Sequence, residues 1–246
     1  MSVWKWPLLA LQFLTVVPVR IREVSVRDLR ASVVFFPALG MCLGALVWLV
    51  KWTAEFAFPP QVAAFLALSA LTLVTGLLHL DGWMDVADAL GSRKPKEQAL
   101  TIMKDSRVGA FGASAGGLLL LGKYAALVAL DPAHISLFVL PPLLSRLGMV
   151  WLMALAPSAH PESSLAVVYA RQLPVPVVVV ASLYSLAAVG LLLPWPRTLG
   201  AIVILTLAIA GYQRWMNRRF GGMTGDLYGA FNEGLEWVFF TWGAMK

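Results

Sequence analysis

The chain has 246 residues, 59% of them hydrophobic and 13% charged, against about 45–50% and about 25% in an ordinary soluble domain. That balance excludes a water-soluble globule and predicts an all-α, polytopic integral membrane bundle, a single domain over residues 1–246. The net charge of +6 does not signal a nucleic-acid partner, because the bases are scattered between apolar runs, and the lone Cys42 excludes a disulfide framework or a multi-cysteine metal site.

A span needs roughly 17–25 mainly apolar residues to cross about 30 Å of hydrocarbon. Residues 4–19 are short for this and carry Pro7 and Pro18; without a small-residue cleavage site they read as a retained re-entrant or interfacial segment, not a signal peptide. Spans are expected over 31–50, 61–80, 109–130, 135–156, 175–194 and 198–215, with 229–244 ambiguous because it contains acids. The expectation is six to eight membrane-embedded helices. Thirteen Lys and Arg residues, clustered at 20–30, 93–107, Arg171 and 214–219, fall on one side of these spans against Lys51 and Arg197 on the other. The positive-inside rule then turns both acidic segments toward the cytoplasm.

The first acidic segment, HLDGWMDVADALGS from His79, follows an uncharged run. As a helix it places Asp81, Asp85 and Asp88 at i, i+4 and i+7, within about 60° of one another. Like charges at this spacing oppose helix formation, and an aspartate deep in a membrane costs on the order of 3 kcal/mol. A bound divalent cation removes both penalties, and hard oxygen donors without paired histidines point to Mg²⁺ or Mn²⁺. Gly82 permits close approach of backbone or ligand. His79 lies off the carboxylate face, suited either to an interfacial hydrogen bond or to a substrate contact.

Next, MKDSRVGAFG brings Lys104, Asp105, Ser106 and Arg107 beside Gly109 and Gly112, a mixture suited to a phosphorylated ligand. Lys123 and Arg146 fall inside apolar spans and need an acidic or polyanionic partner. The second acidic segment, GGMTGDLYGAFNEGLE, sets Gly222, Thr224 and Gly225 before Asp226, with Glu233 seven residues on and Glu236 three further round. It lacks the Gly-Lys-Ser/Thr ending of a Walker loop.

These motifs, with Ser145-Arg146 and the early LQFLTVVPVR and FFPALGMCLGAL, resemble the cobalamin synthase family, the adenosylcobinamide-GDP ribazoletransferases, over nearly the whole chain. The resemblance implies a multi-pass enzyme of the bacterial inner membrane with a cytoplasm-facing site. It implies that adenosylcobinamide-GDP is joined to α-ribazole or its 5′-phosphate, releasing GMP, with Mg²⁺ required. Asp81, Asp85, Asp88, Asp105, Asp226 and Glu233 match the family's motif acids. On this reading Asp81, Asp85, Asp88, Asp226 and Glu233 bind metal, while Lys104, Arg107 and Arg146 neutralise the pyrophosphate. Asp88 or Asp105 takes the acceptor's proton, and His79, Gly82, Ser106, Gly222, Thr224 and Gly225 complete the ligand contacts. Trp83, Trp151 and Phe111 are expected as apolar walls for the corrinoid; the sequence sets no oligomeric state. The alternatives are a CDP-alcohol phosphatidyltransferase-like enzyme, against which the three acids are too tightly spaced, and an ion-coupled transporter.

Overall fold

In hydrocarbon every backbone N–H and C=O must find its partner inside the protein, so apolar runs settle as helices. The structure, a computed structural model, describes residues 3–159, 168 and 173–245, which leaves Arg171 outside the described residues. Among the described residues five stretches are long and apolar enough to cross a membrane: Val26–Ala54, Ala110–Ala129, Ser136–Leu155, Val175–Leu192 and Trp195–Phe220. The first comprises α2 (Val26–Ser32), a 3₁₀ turn and α3 (Phe36–Ala54); the other four are α7, α8, α9 and α10. The ten-residue α1 (Lys5–Leu14) reaches only about 15 Å, too short to span. The 19-residue α11 (Gly225–Gly243) reaches about 28 Å and carries its acids with it.

The expected uninterrupted span over 61–80 is corrected. The chain breaks after α4 (Pro60–Val74) and resumes as α5 (Leu78–Gly91) at 88°, and the pair together makes a sixth candidate span. Gly76 and Leu77 both adopt the left-handed conformation, with φ of +61° and +59°, which ends a right-handed helix at once. The break is chemically closed: the Thr75 hydroxyl donates to the carbonyls of Leu71 and Thr72, and Val16 N–H donates to Val74 O at 2.9 Å.

The centre of the bundle is α8, 83% buried over its most apolar window, where the other four long spans are 22–39% buried. It packs against α3, α9, α10 and α11. On the α3 side the backbones nearly touch: a Cβ on Gly44 would overlap Phe138 O, and one on Gly40 would overlap Pro142 O. Pro142 within α8 has no N–H to offer four residues back, so the Phe138 carbonyl is left facing α3. Replacing Gly44 with Val is expected to force these helices apart at a cost of about 1–3 kcal/mol, read as a lowered melting temperature in detergent.

Candidate active site

The break after α4 sets the acidic helix α5 against α7 and α11. A Cβ on Gly82 would lie 2.8–2.9 Å from the carbonyl oxygen and Cα of Asp226, and one on Gly229 would lie 3.2 Å from the His79 Cα. As the residue number falls along α5 it rises along α11, so the two helices run antiparallel in close contact. This crossing brings Asp81 and Asp85 to the end of α11 that carries Asp226. Asp85 experiences the repulsion of Asp81, Asp226 and Asp88, and Lys104 offsets the charge of Asp226. Asp81 is exposed, while Asp85 and Asp226 are half-buried.

Backbone elements fix Asp226 tightly. Thr224 caps α11, its hydroxyl accepting from Leu227 N–H at 3.2 Å and donating to Met103 Sδ at 3.3 Å. Met223 N–H donates to Pro157 O at 2.8 Å, and Ala159 N–H to Met223 O at 2.9 Å. Gly222 has no room for a side chain against Pro157 and Ser158, whereas Gly225 is open and exposed. Two residues that sequence reasoning missed complete the frame. Tyr212 donates to Leu227 O at 2.8 Å and lies within electrostatic reach of Asp226; Asn232 donates to His79 Nδ1 at 3.0 Å. A lone Asn in an apolar run was the one available signal for the latter.

Several of the expected site residues are engaged by neighbours within the protein. Asp88 accepts from Gly109 N–H at 2.7 Å and from Gly112 N–H at 2.8 Å, one bond to each oxygen. It caps the N-terminus of α7, where the helix dipole favours a carboxylate, and the two glycine N–H groups expected to meet phosphate are thereby occupied. Asp105 is bound by Arg107 through Nε at 3.0 Å and a terminal nitrogen at 2.7 Å. Those bonds hold its pKa down to about 2, too acidic for a general base near neutrality. Ser106 and Lys104 are exposed beside this pair.

Glu233 and Arg146 are not part of the acidic cluster. Lys123 Nζ donates to Glu233 at 2.6 Å and to Glu236 Oε1 at 2.7 Å, while Arg146 donates to Glu236 Oε2 at 2.8 Å. Arg146, Lys123 and Glu236 are each no more than 2% exposed. They sit deeper because α11 rises about 1.5 Å per residue, which sets Glu233 about 10 Å below Asp226. His79 is buried against Asn232 and takes the hydrogen-bonding role. The three aromatic walls do not converge: Trp83 donates to Ala115 O, Trp151 lines a cavity of about 350 Å³ between α8, α9 and α10, and Phe111 lies exposed over Gly91.

Among the described residues no three His, Cys, Asp or Glu side chains converge closely enough to enclose a metal by themselves. Mg²⁺ does not require that, since it keeps several waters and is commonly held by one or two carboxylates plus substrate phosphates. The all-carboxylate donor set of Asp81, Asp85 and Asp226, with its mutual repulsion, fits such an ion. Asp88 holds the opening of α7, so Asp88→Ala is expected to accelerate hydrogen exchange at the Gly109 and Gly112 amides by roughly ten-fold, for about 1–2 kcal/mol of lost capping, while Asp85→Ala leaves those amides unchanged.

A family model described as cobalamin-5-phosphate synthase matches residues 7–244. The adenosylcobinamide-GDP ribazoletransferase of Brevibacillus brevis is 38% identical over 230 residues, 93% of each chain. That of Stutzerimonas stutzeri is 38% identical over 237 residues, again 93% of each. That of Thermosynechococcus vestitus is 35% identical over 247 residues, 99% of this chain and 98% of its own. No solved structure matches. Matched by that family model over nearly its whole length and by relatives of this identity and coverage, the chain belongs to the cobalamin-5-phosphate synthase family.

Proposed function

We propose that this chain is a Mg²⁺-dependent adenosylcobinamide-GDP ribazoletransferase of the bacterial inner membrane, its site facing the cytoplasm. The observation that carries this reading is the meeting of Asp81 and Asp85 on α5 with Asp226 on α11, across the Gly82 contact, in a chain so similar to the ribazoletransferases. Asp81, Asp85 and Asp226 would hold Mg²⁺, which when bound supplies neutralising charge for the donor pyrophosphate. Lys104 adds a cation at the same end, and Arg107, 87% exposed, would have to exchange its ion pair with Asp105 to reach an anionic substrate.

In the reaction a hydroxyl oxygen of α-ribazole, or of its 5′-phosphate, bonds to the phosphorus attached to cobinamide. The bridging P–O bond breaks, its electron pair leaves on GMP, and the hydroxyl proton passes to a carboxylate oxygen of the cluster. Fixed charges placed where charge develops stabilise such a transfer without reorganisation. The bases concentrated at the same end of the bundle support the cytoplasmic orientation.

Purified protein in detergent is expected to release GMP from adenosylcobinamide-GDP only when acceptor and Mg²⁺ are both present. Asp85→Asn is expected to lower turnover by roughly 10³-fold, in line with the loss of a group acting directly on the reacting charge, with an unchanged melting temperature. Substantial turnover without a divalent cation, or full activity of the variant, refutes the assignment.

A further inference from the structure

The buried charges on α11 are paired with cations of the neighbouring helices. Glu236 joins Lys123 of α7 to Arg146 of α8, and Lys123 also holds Glu233. Two glutamates on one helix are thus balanced by one cation from each of two neighbouring helices. Above them Asn232 holds His79 of α5, so a single stripe of α11 is tied to three helices. Buried ion pairs are weak evidence of stability, since apolar replacements of similar volume are often as stable or more so. What they impose is geometry: each bond fails if α11 turns or slides.

We infer that Glu236, with Arg146 and Lys123, is a positioning residue that fixes the rotation and height of α11 and so holds Asp226 against Gly82, opposite Asp85. The inference rests on the reading of Asp226 as part of the donor site. An apolar pair in place of Arg146 and Glu236 would leave α11 facing α8 at this level through non-directional packing. A displacement of even 1 Å at the reacting groups costs about 10²-fold in rate.

The decisive variant is the charge-balanced pair Arg146→Leu with Glu236→Leu, in which Lys123 keeps Glu233. In lipid nanodiscs it is expected to melt within a few degrees of the native protein. kcat should fall roughly 10- to 100-fold, with KM for donor and acceptor changed by no more than about two-fold. A readout independent of chemistry is the distance between spin labels on the exposed residues Leu118 of α7 and Val238 of α11, in a Cys42→Ser background. The distribution should shift or broaden in the variant without any substrate. Arg146→Lys, which keeps the charge but loses the planar fork, serves if the leucine pair does not fold, and should show the same split between kcat and KM. Turnover within about two-fold of native, a rise in KM with kcat intact, or a fall in kcat with unchanged spin distances would each overturn the inference. A native protein that releases no GMP refutes the assigned reaction instead, and the spin distances still decide the positioning.

Discussion

The antiparallel approach of α5 to α11 is the contact on which the site depends. Gly82 lets the α5 backbone rest directly on Asp226, and Gly229 does the same for α11 beneath His79. Any side chain at Gly82 would push the two helices apart and carry Asp81 and Asp85 away from Asp226. Closeness here is electrostatically unfavourable, because it brings like charges together at an end of the bundle where Lys104 is the cation that acts on Asp226. The packing of two helices through glycines therefore holds carboxylates that would separate if left to themselves. On the proposed reading, this concentration of negative charge maintained by packing would be where a divalent cation and, through it, a pyrophosphate are held.

That approach in turn requires the break after α4. A straight helix through residues 61–80 would carry the acids onward along the axis of α4. Two successive left-handed residues, one of them the non-glycine Leu77, redirect the chain by 88° and lay α5 along α11. The exposed carbonyl at the end of α4 is satisfied by Val16 N–H from the segment after α1, which gives that short N-terminal helix a structural task. Strain at Leu77, of about 1–2 kcal/mol, is thus located where the geometry of the site is decided.

The membrane bundle and the acidic motifs were legible in the sequence because apolar runs and helical spacing are properties of composition and period. The spacing of Asp81, Asp85 and Asp88 correctly places them on one helix. It does not tell that Asp88, a turn further on, reaches the amides that open α7. Likewise, Asp226 and Glu233 share a face of α11, and period alone makes them equivalent. Depth separates them: about 10 Å of axial rise moves Glu233 from the acidic end to the level of Lys123. Azimuth can be read from one helix, but partners are set by which neighbour stands at that depth, and that is a property of the assembled bundle. The break at Gly76 was hidden for a related reason. A single glycine in an apolar run is common, and the left-handed Leu77 carries no compositional mark.

Asp226 is consequently held from two directions. On its N-terminal side, the turn between α10 and α11 is clamped by Met223 pairing with Pro157 and Ala159 and by the bond from Arg219 to Lys94 O at 2.5 Å. On its C-terminal side, Asn232 and Glu236 tie α11 to α5, α7 and α8. Polar bonds are directional where apolar contacts are not, and inside a low-dielectric bundle a mismatch of charge is severely penalised. The two anchors lie on either side of the Gly82 contact, so neither rotation nor sliding of α11 is available at the level where Asp226 faces Asp85. A fold built almost wholly from non-directional apolar packing thereby places its few carboxylates with the precision that phosphoryl transfer demands.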